Sequence, residues 1–283
     1  MKGRSGGQRM NFGSVNFGGP RLRALSVLVF LSVLSFAAPS RVSAQFPVPP
    51  PDTATPRENA PFDLNGYWVA VVTEDWRYRM VTPEKGDFPG VPANAVGRRV
   101  ANTWDPAKDE ASGNQCKSYG AAAIMRLPER LHISWVDEKT LKVETDAGTQ
   151  TRVFHFGGVP PLDAAPAWQG YSAASWEAQR PRGFVLPVVA GSGGARPGQE
   201  GYLKVITTQL RPGYLRKNGV PYGANATVEE YFDSFKEPNG DAWLIVTTIV
   251  TDPQYLDNSY ITSSQFKKLP DASGWNPTPC EAK

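Results

Sequence analysis

The chain has 283 residues, with 30 Lys and Arg against 27 Asp and Glu, which gives a formal charge of +3. Residues 1–44 hold six of the basic residues and no acidic one, so residues 45–283 carry a net charge of −3. A cationic surface for nucleic acid is therefore not expected. The hydrophobic share of 40% and the aromatic share of 11% exclude a disordered chain.

Residues 1–44 have the pattern of a secretory signal peptide. Basic residues precede an apolar run at 24–38, and Val42-Ser43-Ala44 supplies a small-residue cleavage site. A membrane-spanning helix needs about 20 residues, so this shorter run favours cleavage after Ala44 over a retained membrane anchor. We therefore predict a periplasmic or secreted protein with no membrane contact after cleavage.

Three further segments follow the cleavage site. Residues 45–61 contain six prolines, which predicts an extended and poorly packed linker. Residues 62–269 form a single β domain of ordinary size, and 270–283 form a C-terminal tail whose Gly and Pro content excludes a regular element. A Pro- and Gly-rich stretch at 179–200 is interpreted as a surface loop.

Most of the β domain alternates apolar and polar residues, as strands do. One short helix is predicted near 92–103, and 106–112 is a second helical candidate. This composition indicates an all-β fold, either an antiparallel meander closing into a barrel or a β-sandwich. The predicted strands are Leu64–Val72, 131–136, 141–145, 149–156, Gly170–Glu177, Tyr202–Leu210, Thr227–Phe235, Trp243–Thr251 and Ser259–Lys267.

The turns of the first meander predict which side chains share a face. If 137–140 and 146–148 both act as short hairpin loops, Leu131, Leu141 and His155 belong to one face of the sheet. His132 then belongs to the opposite face, more than about 10 Å from His155 at ~3.3 Å per strand residue. The two histidines are not expected to share a metal, and His155 is a candidate for the barrel interior.

Gly66-Tyr67-Trp68 at the start of the first strand resembles the lipocalin signature, in which the Trp packs across the closed end of a barrel. Thr251-Asp252-Pro253 is similar to a later Thr-Asp element of that family. This resemblance implies a lipocalin-like barrel, in which Trp68 lies at the closed end.

A second resemblance covers most of residues 63–255. This chain looks like a group of uncharacterised exported β-rich proteins of environmental Gram-negative bacteria in the segments 63–68, 73–77, 115–120, 166–172, 176–177 and 251–255. Many of those proteins have Gly-His-Ser where this chain has Gly170-Tyr171-Ser172. The resemblance implies export and a β-rich domain, and it implies no catalytic residue.

No catalytic, metal or cofactor motif stands out in the chain. Cys116 and Cys280 lack Cys-x-x-Cys spacing, and no nucleophile elbow, P-loop or dinucleotide fingerprint is present. Gly170-Tyr171-Ser172 has the first Gly of a nucleophile elbow, but Ala174 stands where the second Gly would be, and the context is that of a strand. We therefore do not predict that Ser172 is a nucleophile. No cofactor and no metal are predicted.

Polar and aromatic residues are densest at Glu74-Asp75-Trp76-Arg77-Tyr78-Arg79. Treated as a strand, this segment places Trp76 and Tyr78 on one face and Arg77 and Arg79 on the other. Either set could line a pocket mouth, where Arg holds a carboxylate or phosphate beside an aromatic wall. A surface strand with paired charges is the alternative.

We predict a non-catalytic protein that binds a small, partly apolar ligand in the barrel cavity or at its mouth. One alternative is a barrel hydrolase or isomerase that uses Glu74 or Asp75 as acid or base. Another is an accessory protein that docks on an exported partner protein. The candidate ligand contacts are Trp68, Trp76, Arg77, Tyr78, Arg79, Tyr119, His155, Tyr171 and Trp176.

Cys116 and Cys280 are predicted to form a disulfide. Both follow the signal peptide, no third Cys competes, and an oxidising compartment permits the bond. The bond would fasten the tail, with Trp275 packed beneath it, and the chain-entropy model gives on the order of 4–5 kcal/mol as an upper figure. Two free thiols are the alternative.

Overall fold

The computed structural model describes residues 53–178 and 201–283. The predicted signal peptide, residues 45–52 of the linker and the insertion at 179–200 lie outside the described residues. The strands are β1 Gly66–Val71, β2 Arg130–Asp137, β3 Thr140–Thr145, β4 Thr151–Phe156, β5 Tyr171–Ala178, β6 Gly201–Thr208, β7 Gly213–Arg216, β8 Val220–Tyr222, β9 Thr227–Lys236, β10 Ala242–Thr251 and β11 Tyr260–Lys268. The α-helices are α1 Trp76–Arg79, α2 Ala95–Ala101 and α3 Pro106–Ala111.

Nine strands close into a barrel in the order β1-β11-β10-β9-β6-β5-β4-β3-β2, and β7 and β8 form a separate hairpin. The predicted all-β barrel is therefore confirmed over the sandwich. One pairing differs from a pure antiparallel meander, because β4 and β5 run parallel. The chain has to return to the same barrel end between these two strands, which the long connection at 157–170 allows.

The register of the first hairpin follows the prediction, whereas that of the second does not. Ile133 is opposite Val143 across β2 and β3, as expected. Thr145 lies opposite Gln150, so four residues instead of three connect the paired positions of β3 and β4, and two of them, Gly148 and Thr149, adopt positive φ. Arg152 and Phe154 consequently face the interior, and the prediction that His155 faces it is wrong.

Alternating apolar residues of all nine strands fill the barrel. Each strand places every second side chain inside, and the largest of these have no exposed surface. A polar layer crosses this core, where Arg152 donates to Glu230 and Thr207, and the Thr207 hydroxyl in turn is hydrogen-bonded to that of Ser172. The large fully buried apolar residues of the strands include Trp68, Leu131, Ile133, Leu141, Phe154, Leu203, Phe232 and Phe266.

A second apolar cluster covers one end of the barrel. It joins the β7–β8 hairpin to the segment between β1 and β2, through residues such as Leu215, Val220, Ala121 and Tyr260. Two 3-10 turns of that segment, Gln115–Tyr119 and Ile124–Arg126, lie between the hairpin and the barrel. The covering elements thus meet the strand ends around Tyr260, the first residue of β11.

The predicted helices are present, and one predicted strand is helical. α2 lies within 92–103 and is capped by the Asn94 side chain, while α3 is capped by Asp105. The predicted alternation at 74–79 is wrong, because Asp75 turns the chain with φ of 50° and Trp76–Arg79 form one helical turn. That turn carries Tyr78 and Arg79 toward the barrel end.

The end of the Pro-rich linker packs on the barrel instead of standing free. The Trp176 indole donates to the Pro56 carbonyl, and Arg57 pairs with Glu138. The predicted poor packing is therefore wrong for this last part of the linker. In the part of the chain that the structure describes, no helix is both long and apolar enough to cross a membrane.

Candidate anion-binding site

Three arginines meet at the covered barrel end. Arg79 comes from α1, Arg126 from the 3-10 turn before β2, and Arg216 from the end of β7. All three are at least nine-tenths buried, and all three line one small pocket of about 30 Å³. We call this cavity the arginine pocket.

Backbone and carboxylate contacts hold two of these arginines in place. Arg79 Nε donates to the Arg126 carbonyl at 2.8 Å. Arg126 Nη2 donates to the Asp75 carboxylate at 3.3 Å, and Asp75 is half exposed. Solvent around the half-exposed Asp75 screens this pair, so its main effect is to fix where the two side chains lie.

Two tyrosine rings lie within cation–π distance of two of the guanidinium groups. The Arg216 guanidinium carbon lies 4.6 Å from the Tyr78 ring centre and 6.0 Å from that of Tyr260. The Arg126 guanidinium carbon lies 5.7 Å from the Tyr260 ring centre. A cation–π contact is no hydrogen bond to an acceptor oxygen, so it leaves the N–H edges of these guanidinium groups in need of partners.

Those N–H edges lack acceptors. Arg79 Nη1 and Nη2 and Arg216 Nε and Nη1 are buried, and none has a hydrogen-bond partner in the described part of the chain. A buried donor without an acceptor costs about 1–3 kcal/mol, and more when it is charged. Four such nitrogens around one pocket indicate a place for an anionic oxygen group.

The charges around the pocket also favour an anion. Burial lowers the pKa of Arg79, and the neighbouring Arg126 charge lowers it further, so its charged form is destabilised. Glu74, Asp75 and Glu129 oppose that shift without cancelling it. A bound anion would stabilise the charged form of the Arg79 guanidinium.

A larger cavity of about 300 Å³ continues the arginine pocket outward. Both cavities are lined by Arg79, Val81, Leu127 and Lys217. The outer cavity, which we call the outer pocket, has a mixed wall of apolar and polar groups. Its other lining residues are Met80, Thr82, Tyr119, Pro128, Ala147, Thr278, Pro279 and Glu281.

The C-terminal tail forms one wall of the outer pocket. The predicted Cys116–Cys280 disulfide is present and holds the tail beside the Gln115–Tyr119 turn. Thr278 adds backbone contacts to the β3–β4 connection, and the Glu281 amide donates to the Tyr119 hydroxyl. Trp275 packs against Tyr67 and His132 on the barrel surface, so its predicted place beneath the disulfide is wrong.

The structure brings together three of the nine predicted ligand contacts. Tyr78 and Arg79 line the arginine pocket, and Tyr119 lines the outer pocket. Trp76 and Arg77 lie on the exposed side of the same helical turn, where Arg77 pairs with Asp87. These two residues lie near the site and do not line it.

The other four predicted contacts lie away from the arginine pocket. Trp68 is fully buried and donates to the Leu64 carbonyl, and Trp176 packs against Phe156. His155 and Tyr171 stack on each other with ring centres 4.8 Å apart, on the outer face of the barrel. None of the four lines either of the two cavities.

Sequence reasoning missed Arg126, Arg216 and Lys217. Arg126 interrupts the apolar run from Ala121 to Leu127, whereas Arg216 only follows Tyr214-Leu215 and precedes the polar Lys217. A charged residue in an apolar run is a signal for a buried, functional cation. The signal does not say which cations meet, because the three arginines come from separate elements that only the barrel end brings together.

The two carboxylates of the enzyme hypothesis are both exposed. Glu74 and Asp75 lie at the surface, and Asp75 already pairs with Arg126. In the described ranges, no group of three or more His, Cys, Asp or Glu side chains could hold a metal ion.

Comparison with known proteins gives no match for this chain, whether with protein-family models, with curated proteins or with solved structures. The class of protein is therefore defined by the fold and the site alone: an all-β barrel with an arginine-lined pocket at one covered end.

Proposed function

We propose that this protein is an exported, non-catalytic binding protein for a small organic anion with an apolar part. The observation that carries the proposal is the set of four buried, unpartnered guanidinium nitrogens of Arg79 and Arg216 around one pocket. A fixed pair of guanidinium edges suits the planar or tetrahedral oxygens of a carboxylate, sulfonate or phosphate.

The outer pocket supports an apolar part of the ligand. Its volume of about 300 Å³ is at the lower end of the range for small-molecule sites. Met80 and Val81 at its rim are largely exposed, although they are apolar. A short alkyl or aryl chain that follows the anionic group outward would cover this rim and Leu127.

Binding at the covered end differs from binding inside the barrel. The interior side chains Trp68, Phe154 and Phe232 are fully buried against one another. We therefore place the ligand at the mouth of the barrel and not in its interior. A disulfide supports an oxidising compartment, and thus export to the periplasm or beyond.

A panel of ligands with one chain length tests the proposal. Isothermal titration with octanoate, octanesulfonate and octyl phosphate is expected to detect saturable binding to the purified protein at one site per chain. Octanol, which has the same chain and no charge, is expected to bind much more weakly. Comparing the Kd values of the three anions shows whether the site prefers a carboxylate, a sulfonate or a phosphate. Equal binding of octanol, or no binding of any anion, would contradict the proposal.

Arginine variants test which groups hold the anion. Arg216→Gln and Arg79→Gln are each expected to weaken binding by about 1.5–3 kcal/mol, which is roughly 10- to 150-fold in Kd, since each loses a charge-assisted hydrogen bond. The matched control is Arg77→Gln, which removes the same charge from the exposed side of the same helical turn. Its Kd should stay within about twofold of the wild-type Kd. Equal losses in all three variants would show that net charge, not the pocket, attracts the anion.

A further inference from the structure

Glu129 is a buried carboxyl group whose charge acts on Arg79 of the arginine pocket. It follows Leu127-Pro128, which line the outer pocket, and it is only 2% exposed. Neither of its carboxyl oxygens has a hydrogen-bond partner in the described part of the chain. The neighbouring Thr145 hydroxyl donates its proton to the Ala147 carbonyl instead.

Charged groups from three elements face Glu129. Arg79 approaches from α1, Arg152 from β4, and Asp146 from the connection between β3 and β4. Burial raises the pKa of Glu129 well above its ordinary value, and repulsion by Asp146 raises it further. Arg152 and Arg79 act in the opposite direction.

Two of those three charges are already paired. Arg152 makes a two-pronged ion pair with Glu230, with both side chains fully buried. Asp146 accepts from the Arg130 backbone amide at 2.7 Å, and its carboxylate lies 3.6 Å from the Arg130 guanidinium.

Arg79 is the remaining cation whose terminal nitrogens are unpartnered. It also faces Arg126, Glu74 and Asp75, but Asp75 pairs with Arg126 and Glu74 lies at the surface. The protonation state of Glu129 therefore acts on the same guanidinium that the anion needs.

We infer that Glu129 takes up a proton when the anion binds, so that the site binds its ligand together with a proton and releases it as pH rises. This inference rests on the proposed function of the arginine pocket. A neutral Glu129 does not compete with the ligand for the Arg79 guanidinium, whereas an ionised Glu129 competes for it and repels the anion.

The direction of the pH effect follows from linkage. A bound anion disfavours the ionised carboxylate, so binding must increase the number of protons held by Glu129. Affinity is therefore greatest below the pKa that Glu129 has in the free protein, falls between that pKa and the higher pKa of the complex, and is constant above the latter. For one proton the fall is at most about tenfold per pH unit, and a total of about 5- to 150-fold corresponds to a typical coupling between sites.

Proton uptake can be measured directly with octanesulfonate, because a sulfonate does not itself titrate near neutral pH. Titrations in two buffers of different ionisation enthalpy give the number of protons bound per ligand. We expect an uptake between zero and one proton per octanesulfonate, with a maximum inside the pH range where Kd changes most.

Two variants separate Glu129 from other carboxylates. Glu129→Gln mimics the neutral carboxyl and is expected to bind octanesulfonate with no proton uptake and with a Kd that no longer varies over that pH range. The control Glu74→Gln removes an exposed carboxylate that also acts on Arg79, and it should keep the uptake. If Glu129→Gln does not fold, the wild-type uptake and its pH profile decide.

Two negative results have different meanings. Tight octanesulfonate binding by the wild type with no proton uptake at any pH would overturn the role of Glu129 and leave the anion site intact. The absence of binding for every anion of the panel would overturn both proposals. Proton uptake that persists in Glu129→Gln would show that another group binds the proton, and this result would overturn the inference.

Discussion

Replacing Glu230 by Ala is expected to lower the free energy of unfolding by about 3–5 kcal/mol, because it leaves Arg152 as an unpaired charge inside the barrel. Both side chains of the pair have no exposed surface. Arg152 Nη1 lies 2.9 Å from one Glu230 oxygen and Nη2 lies 2.5 Å from the other. Thr207, the other partner of the guanidinium, is neutral and cannot replace the lost carboxylate.

The matched control is Glu229, the residue directly before Glu230 in β9. Glu229 faces outward, is about one-third exposed and pairs with Lys204 at 2.9 Å. Glu229→Ala should therefore change stability by less than about 1 kcal/mol. Urea unfolding followed by tryptophan fluorescence compares the two variants under the same conditions. Similar losses in both would show that Arg152 is compensated by something other than Glu230.

A double replacement tests the origin of this loss. Arg152→Met combined with Glu230→Leu removes both charges and is expected to recover most of the stability that Glu230→Ala loses, because desolvation of a buried pair offsets much of its attraction. Its unfolding free energy should lie within about 2 kcal/mol of the wild-type value. A double variant as unstable as Glu230→Ala would show that the polar layer itself specifies the barrel.

Removing the disulfide with Cys116→Ser and Cys280→Ser is the second large change. The bond closes a loop with a sequence separation of 164, so we expect a stability loss of about 2–5 kcal/mol, mainly from greater freedom of the unfolded chain. The double variant should still fold, since all nine barrel strands close between Gly66 and Lys268 without the tail. Urea unfolding of the wild type with and without a reductant gives the same comparison. An unchanged midpoint in both experiments would contradict the prediction.

The same double variant separates the two cavities. Thr278, Pro279 and Glu281 line the outer pocket and not the arginine pocket. Release of the tail is therefore expected to weaken the binding of octanoate more than the binding of acetate. Acetate has the same carboxylate group, but its chain is too short to reach the tail. An equal loss for both acids would show that the tail acts on the arginines instead.

Sequence periodicity predicted the barrel strands because apolar side chains on the inner face of each strand alternate with polar side chains on its outer face. The alternation in Leu131–Trp135 and 141–145 was enough to place β2 against β3 correctly. It failed at β4, where one further residue in the left-handed conformation, Thr149, lengthens the connection and moves Arg152 inside. A loop length of this kind depends on backbone angles that composition does not determine.

The site was only half predictable for a related reason. The density of charged and aromatic residues at 74–79 indicates Tyr78 and Arg79, although the alternation predicted for this segment is that of a strand. Asp75 tolerates the left-handed turn that starts α1, as Asp often does, and this turn decides which side chains face the barrel end. Arg126 and Arg216 could not be joined to Arg79 from sequence, because their meeting depends on how the hairpin and the 3-10 turn cover the barrel.

The most direct test of the anion site is a crystal structure of the protein with 8-bromooctanoate, whose bromine can be located by anomalous scattering. We expect the carboxylate oxygens at about 2.7–3.2 Å from nitrogens of Arg79 and Arg216. The bromine should lie in the outer pocket, near Leu127 and Pro279. Waters on all four guanidinium nitrogens, with bromine bound elsewhere or not at all at a saturating concentration, would contradict the account.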